Sequence, residues 1–203
     1  MGFRELIWGQ SWVYRLSQFV VWRKQSLNWF VSAIIKPAEG IRILDVGCGP
    51  ADIVAYLDNV TYTGLDHNQK YIKRAKARWG LQANFLCLDV ADEKVKTLGK
   101  FDIVLISAVL HHLTDHEINL MLRHATMTLK PDGRLVTIDP TIEVGQHPIA
   151  RWLAHLDRGR HVRTTDRYIE LIQRHFTPLE IIVRHDLLRI PYTQCIMTFK
   201  QRE

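Results

Sequence analysis

Short apolar runs alternate with helical stretches along the middle of this 203-residue chain, and this alternation restricts the fold more than any other feature. The runs lie at residues 41–46, 62–65, 83–88, 101–106 and 134–138. Between them, residues 69–79 and 115–129 repeat apolar side chains at the spacing of one buried helix face. Strands that alternate with helices predict a parallel sheet with helices on both faces. We therefore expect a doubly wound α/β domain.

The two ends of the chain depart from this alternation. Strand-like runs at residues 179–185 and 192–199 follow each other closely, which predicts an antiparallel hairpin at one edge of the sheet. Before Pro37, apolar residues recur at helical spacing, so residues 1–36 are expected to form a helical cap. Residues 37–203 are then expected to form the single main domain.

Composition excludes several classes of protein. Hydrophobic residues at 47% and charged residues at 24% are ordinary globular values. Three widely spaced cysteines without a CxxC pattern favour neither a disulfide framework nor a zinc ribbon, and they suit a reducing compartment. No apolar run approaches the ~20 residues of a membrane span, and charges interrupt the apolar N-terminal residues, unlike in a signal peptide. The expectation is a cytoplasmic protein without a membrane span.

The charge balance is mildly basic. The chain carries 27 Lys and Arg against 21 Asp and Glu, a net charge of +6, which is too weak to indicate nucleic-acid binding. Six arginines lie between Arg151 and His175, against three acids. An anionic small-molecule partner and a solvated surface both explain this local surplus.

A glycine-rich turn, Asp45-Val46-Gly47-Cys48-Gly49, directly follows the first apolar run. Glycines at a strand end let the backbone turn tightly and let a ligand approach it closely. Asp66 ends the second run, where doubly wound folds place an acid against ribose hydroxyls, and Asp89 ends the third. These residues predict a nucleoside-type ligand at the carboxyl edge of the sheet.

Two residues argue against a dinucleotide at this turn. A dinucleotide fingerprint has glycine at its sixth position, where this chain has Asp52, whose carboxylate would repel a phosphate. Asp45 suits a ligand with a cationic end and no phosphates. The weaker alternatives for this turn are a dinucleotide-binding site and a structural turn that binds no ligand.

Five short segments follow one another over roughly residues 40 to 140. They are Asp45-Val46-Gly47-Cys48-Gly49, Thr63-Gly64-Leu65-Asp66, Cys87-Leu88-Asp89-Val90, Phe101-Asp102-Ile103-Val104-Leu105-Ile106-Ser107 and Leu129-Lys130-Pro131-Asp132-Gly133-Arg134-Leu135. In sequence and in order, these segments resemble the motifs of the class I S-adenosylmethionine-dependent methyltransferases. The resemblance implies a Rossmann-like, seven-stranded sheet that ends in an antiparallel hairpin. It also implies S-adenosylmethionine as the cofactor.

The resemblance assigns positions to the cofactor-binding residues. Gly47 and Gly49 would lie against the methionine part and Asp45 near its ammonium, while Asp66 would hold the ribose hydroxyls. Asp89 and Val90 would sit at the adenine, and Ser107 would line the methionine end. Cys48 and His67 are also assigned to the cofactor site. One departure is Ala51, where many members have a third glycine; alanine is small enough for binding to survive.

Histidines follow the fourth apolar run, just past the expected cofactor. His111 and His112 are candidate catalytic residues, because histidine can remove a hydroxyl proton near neutral pH. In many proteins that resemble this one, such a pair only shapes the pocket. His112 and His116 could share a helix face as metal ligands, but no third ligand stands at a fixed spacing, so no metal is expected.

The acceptor side is less clearly marked. Arg160 and Arg163 could grip an anionic group or could pair with neighbouring acids, and Tyr192 is a possible pocket residue. The Trp-rich N-terminus favours a lid that excludes water, with Gln10, Trp12 and Tyr14 facing inward. Plain packing on the sheet and a membrane-surface helix are the alternatives.

Together these features predict a methyltransferase that acts on a small molecule, with an oxygen nucleophile favoured. The nucleic-acid-methylating signature Asn-Pro-Pro-Tyr is absent after the fourth run. Methylation of RNA or protein, and a cofactor-binding subunit without its own chemistry, are the alternatives. The cofactor motifs do not identify the acceptor, and the oligomeric state is open.

Overall fold

Seven strands form one sheet in the order β3-β2-β1-β4-β5-β7-β6. The structure, a computed structural model, describes residues 23–89, 92–157 and 161–202. The strands are β1 Arg42–Val46, β2 Thr61–Leu65, β3 Ala83–Leu86, β4 Phe101–Ser107, β5 Leu129–Pro140, β6 Phe176–Arg184 and β7 Gln194–Gln201. Strands β1 to β5 pair in parallel, and β7 pairs antiparallel with both β5 and β6. The predicted seven-stranded α/β sheet with a final antiparallel hairpin is confirmed.

The strand order reverses between β1 and β4. From β1 the chain proceeds outward to β2 and β3 on one side, and β4 returns to the other side of β1. In open α/β sheets, ligands bind at this reversal, outside the carboxyl ends of the strands. The glycine turn follows β1 and the histidines follow β4, so both flank this position.

Helices cover both faces of the sheet. They are α1 Lys24–Trp29, which continues as a π-helix over Phe30–Ile35, then α2 Gln69–Trp79, α3 Asp115–Thr128, α4 Pro148–Leu156 and α5 Thr165–Ile172. The predicted capping box is present, since Thr114 and Glu117 bond reciprocally at the start of α3. Between β1 and β2 a short 3-10 helix, Asp52–Tyr56, replaces a full α-helix.

Strand β4 shows why the central strands are apolar throughout. Val104 and Ile106 face a cluster built with α3 and α5, while Ile103 and Leu105 face a second cluster built with α1 and α2. Successive side chains of a strand point to opposite faces, and both faces of this sheet are covered. A continuous apolar run therefore replaces the alternating pattern of a half-exposed strand.

The described part of the predicted N-terminal cap packs on the sheet. Phe30 and Ile35 are buried in the second cluster, and the Arg134 guanidinium donates to the carbonyls of Ile34, at 2.8 Å, and Ile35. The backbone N–H of Arg23 lies 3.4 Å from the carbonyl of Leu187, in the β6–β7 connection. The lid residues Gln10, Trp12 and Tyr14 lie outside the described residues. Across the three described ranges, no helix is both long and apolar enough to cross a membrane.

Candidate functional site

The glycine turn after β1 is fastened to the end of β2. The backbone N–H groups of Gly47 and Cys48 both donate to the carbonyl of Leu65, at 2.8 Å. Gly47 has φ +80°, and a Cβ placed on it would come within 2.4 Å of Cγ2 of Val109, in the loop after β4. Because of its backbone conformation and this close approach, only glycine fits there. The turn therefore presents bare backbone beside the β4 loop.

Ala51 closes the turn in a conformation that glycine usually adopts. Its φ is +56°, in the left-handed region, and the residue is buried. Alanine therefore holds a backbone conformation that glycine adopts at lower cost. The next residue, Asp52, is paired with the guanidinium of Arg78 rather than left free at the turn.

Asp66 ties the turn to the start of α2. One carboxylate oxygen accepts from the N–H of Gly49 at 2.9 Å, and the other accepts from the N–H of Asn68 at 2.7 Å. Asn68 in turn caps α2 by accepting from the N–H of Lys70. His67 is exposed, with Nδ1 3.9 Å from Asp66 Oδ1. The predicted ribose-binding acid is thus held rigidly at the sheet edge.

Asp45 is a buried carboxyl group directly before the turn. Its Oδ2 accepts from the phenol of Tyr62 at 2.5 Å, and its Oδ1 has no hydrogen-bond partner within the described part of the chain. Burial raises the pKa of Asp45 to about 7; the hydrogen bond from Tyr62 lowers that pKa, and the charge of Asp66 raises it. A buried carboxylate oxygen without a donor is costly unless a ligand supplies one.

These residues fit the cofactor that the resemblance implies. The Asp45 oxygen without a partner in the described residues suits an ammonium group, and a Cβ on Gly49 would meet no atom within 4 Å, so a ligand has room against the backbone there. The other predicted residues lie along the same edge: Cys48 is half-buried in the turn, Ser107 ends β4, and Asp89 is exposed after β3. Val90 lies outside the described residues.

A buried His–Asp pair lies at the carboxyl ends of β4 and β5. Nδ1 of His111 is 2.7 Å from Oδ1 of Asp139, and the backbone N–H of His111 donates to the same oxygen at 3.1 Å. His111 is 5% exposed and Asp139 is fully buried. Burial raises the pKa of Asp139, while its hydrogen bond to His111 and the charge of His111 lower it. The imidazole is therefore fixed in orientation at the sheet edge.

The other ring nitrogen of His111 faces a second acid. Nε2 lies 3.7 Å from Oδ1 of Asp157, and the phenol of Tyr192 donates to the other oxygen of that carboxylate. The structure thus brings together two of the predicted residues, His111 and Tyr192, through Asp157. His112 is exposed, and its ring packs against that of His111 with centroids 4.0 Å apart and the ring planes tilted by 41°.

Arg163 braces the loop that carries the histidines. Its guanidinium donates to Asp115, to the carbonyl of Leu110 at 3.1 Å and to that of Leu113 at 2.8 Å. The sequence left open whether Arg163 grips an anionic group or pairs with neighbouring acids, and the structure pairs it with Asp115, at the start of α3. Its donors are committed within the protein, so it is not placed to grip an anionic acceptor. Tyr14 and Arg160 lie outside the described residues.

Sequence reasoning missed both acids beside His111. Asp139 could have been found from the sequence, because it directly follows the fifth apolar run. That run forms β5, which pairs in parallel with β4, so Asp139 lies at the same edge of the sheet as the histidines after β4. Asp157 could not, because it follows α4 and approaches His111 only through the tertiary fold. Within the described ranges, no three His, Cys, Asp or Glu side chains are grouped to hold a metal ion.

Comparison with known proteins connects this edge to a family. Residues 43–133 match the family model described as a methyltransferase domain. The ubiquinone biosynthesis O-methyltransferase of Chelativorans sp. (strain BNC1) is 31% identical over 140 residues, covering 62% of this chain and 53% of that protein. Its namesake from Caulobacter sp. (strain K31) is 28% identical over 130 residues, covering 58% and 51%. The chain thus spans about half the length of these curated relatives.

Solved structures share the fold over most of the chain. A TehB-like SAM-dependent methyltransferase from Corynebacterium glutamicum has a TM-score of 0.70 at 18% identity and covers 98% of each chain. The N-methyltransferase NodS from Bradyrhizobium japonicum, solved with S-adenosyl-L-homocysteine, has a TM-score of 0.67 at 18% identity, covering 88% of this chain and 85% of that one. At these identities the likeness concerns the fold alone.

Proposed function

This chain belongs to the class I S-adenosylmethionine-dependent methyltransferases, and from that premise we propose that it methylates a hydroxyl group of a small-molecule acceptor. The observation that carries the proposal is the buried pair of His111 and Asp139 at the carboxyl edge of the sheet. The name of the curated relatives, ubiquinone biosynthesis O-methyltransferase, supports an oxygen acceptor. A neutral amine would need no such base before attack.

His111 acts as the general base in this proposal. Its Nδ1–H donates to Asp139, so the tautomer leaves Nε2 unprotonated and able to accept the proton of an acceptor hydroxyl. Asp139 and Asp157, on opposite sides of the ring, stabilise the imidazolium that forms. We assign the base to His111 rather than to His112, because the imidazole of His111 is buried and held in orientation by Asp139, whereas His112 is exposed.

The cofactor supplies a methyl group activated on a sulfonium, and the chain binds and orients it. Asp45 would receive the ammonium, Gly47 and Gly49 would admit the methionine part, and Asp66 would hold the ribose hydroxyls. The remaining residues assigned to the cofactor are Cys48, His67, Asp89, Val90 and Ser107. Orientation of the two reactants accounts for most of what a protein contributes to such a displacement.

Tyr192, Tyr14 and Arg160 are proposed to bind the acceptor, and Arg160 would suit an anionic group on it. Residues 1–22 would cover this side as a lid. Two observations support the lid. Arg23, the first described residue, lies beside the β6–β7 connection at the carboxyl edge of the sheet. Helix α4 packs against the same connection and exposes Trp152 and Ile149 to solvent. An exposed apolar helix face beside a site often marks a surface that something covers.

Calorimetric titration with S-adenosylhomocysteine tests the cofactor assignment first. Wild type should bind one equivalent, and Asp66→Ala should abolish binding, because it removes the carboxylate that fastens the turn and faces the ribose. Asp58→Ala, which alters an exposed carboxylate elsewhere, is the matched control and should bind as wild type does. A folded wild type that binds nothing would contradict the proposed function.

Transfer of a radiolabelled methyl group then tests the reaction. Matched pairs of acceptors that differ only in hydroxyl against amine should give product mainly from the hydroxyl member. Product from RNA or protein alone would favour a macromolecular acceptor. Cofactor binding without turnover on any acceptor would favour a subunit that needs a partner chain.

A further inference from the structure

Tyr62 and Asp45 form a buried hydrogen-bonded pair beneath the glycine turn. Tyr62 lies in β2, is 2% exposed, and donates to Oδ2 of Asp45 at 2.5 Å. The two side chains share a face of the sheet, because Asp45 pairs in register with Gly64, two residues after Tyr62 on the same strand. The contact is therefore built into adjacent strands and does not depend on a loop.

Packing alone does not explain this pair. The ring of Tyr62 packs against Phe85, with centroids 6.0 Å apart, inside an apolar cluster that a phenylalanine would fill equally well. Asp45 lies among the same apolar residues, where burying a carboxylate costs free energy. One of its oxygens receives the phenol, and the other, Oδ1, lacks a hydrogen-bond partner in the described ranges. A buried carboxylate oxygen without a donor lowers the stability of the folded protein, so its presence here indicates that a ligand supplies the missing donor.

We propose that Tyr62 is a positioning residue for the cofactor: its phenol holds the ionised Asp45 carboxylate in place, leaving Oδ1 to accept from the cofactor's ammonium, so that binding tightens as the pH rises through neutrality. The proposal rests on the proposed function, because it concerns the same cofactor. The inference extends the proposed function by adding Tyr62, a residue that none of the five motifs contains.

The groups that face Asp45 determine its ionisation. Burial has the largest effect and favours the neutral acid; Tyr62 on β2 favours the charged form by donating to it, and the negative charge of Asp66 opposes the charged form. Burial likewise raises the pKa of the Tyr62 phenol and of the Cys48 thiol, so both stay protonated near neutral pH.

Among the described residues, the remaining elements packed around the pair present apolar side chains. The β4 partner of Asp45 is Leu105, and the π-helix after α1 and helix α2 contribute apolar side chains such as Ile34 and Ile72 to this cluster. With the pKa of Asp45 at about 7, the unliganded protein is a mixture of charged and neutral forms near pH 7. A cationic ligand group that requires the charged form must therefore displace a proton when it binds.

The test is calorimetric titration with S-adenosylhomocysteine from pH 5.5 to 7.5, a range in which the ammonium of the ligand stays protonated. Wild-type affinity should rise about tenfold between pH 6 and pH 7.5, with release of a fraction of a proton in paired buffers of different ionisation enthalpy. Tyr62→Phe removes a hydrogen bond to a charged group, which should weaken binding about tenfold at pH 6.5. Its affinity should still be rising at pH 7.5.

Two further variants sharpen the comparison. Asp45→Asn should bind weakly with an affinity that does not change with pH and without proton release. Tyr56→Phe removes a phenol that also packs on the second cluster but has no hydrogen bond to Asp45, and it should follow the wild-type profile. Thermal unfolding checks that each variant is folded.

The outcomes separate this inference from the proposed function. Tight binding by Tyr62→Phe with the wild-type pH profile, or an equal loss of affinity at every pH, would overturn the positioning role. If Tyr62→Phe does not fold, a wild-type affinity that is flat with pH and releases no proton overturns it instead. Absence of wild-type binding at any pH would overturn both proposals.

Discussion

At the scale of single residues, the site consists of acids at strand ends that hold other groups in place. Asp66 fastens the glycine turn, Asp139 orients His111, and Asp45 pairs with Tyr62. Each carboxylate accepts hydrogen bonds from backbone N–H groups or from buried side chains. Preorganised groups of this kind need no rearrangement during reaction, which is where their catalytic value lies.

The His111–Asp139 pair supports one prediction. With the acceptor found by the transfer screen, His111→Gln should lower kcat by about 10²- to 10⁴-fold, the range typical of general bases, and leave S-adenosylhomocysteine affinity unchanged. Asp139→Asn should lower kcat by about 10²-fold or more, because the neutral amide no longer selects the tautomer with Nε2 free. Rates are measured by methyl transfer across a pH series.

His112→Gln is the matched control, since it changes the adjacent, exposed imidazole. It should stay within a few-fold of wild type. If His112→Gln and His111→Gln lose rate equally, or if neither does, His111 is not the base.

At the scale of elements, several braces hold the site from outside it. Arg163 supports the loop after β4 from the start of the α5 region, and Arg134 on β5 binds the end of the helix that precedes β1. The capping box and the bounds of α2 could be predicted from local sequence. The short 3-10 helix after the glycine turn could not, because the tight turn and the contact of Asp52 with Arg78 determine how the chain leaves it.

Arg134 gives an element-scale prediction. Arg134→Met keeps most of the apolar stem but leaves the half-buried carbonyls of Ile34 and Ile35 without their donor, which should lower the free energy of unfolding by about 1–3 kcal/mol. Chemical denaturation without ligand measures the change. Arg151→Met, at an exposed position on α4, should change stability by no more than about 0.5 kcal/mol. Equal effects of the two substitutions would show that the brace is not a stabilising contact.

At the scale of the whole molecule, the sheet topology brings the cofactor edge, the histidine loop, α4 and the first described residue to the same end. Arg23 lies beside Leu187, and the following residue, Leu188, packs against Ala154 of α4. The exposed face of α4 therefore borders both the proposed acceptor site and the start of the described chain.

The lid supports a whole-molecule prediction. Deleting residues 1–22 should leave a folded domain that still binds S-adenosylhomocysteine, because the cofactor residues belong to the sheet edge, while raising KM for the acceptor. Trp152→Ser on α4 should reproduce part of that increase. Leu81→Ser, which alters a fully exposed apolar side chain away from this region, is the control and should change nothing. An unchanged KM after the deletion would contradict the lid.

The sequence alone determined the sheet, its final hairpin and the cofactor edge, because these depend on local patterns: short apolar runs that alternate with helical stretches, and glycines and acids placed where strands end. Only the tertiary structure decided which groups face each other. Asp139 and Asp157 are 28 and 46 residues from His111, Tyr62 is 17 from Asp45, and Arg163 reaches back to Asp115. Such pairings depend on the order and register of the strands in the sheet, and local sequence patterns do not specify either.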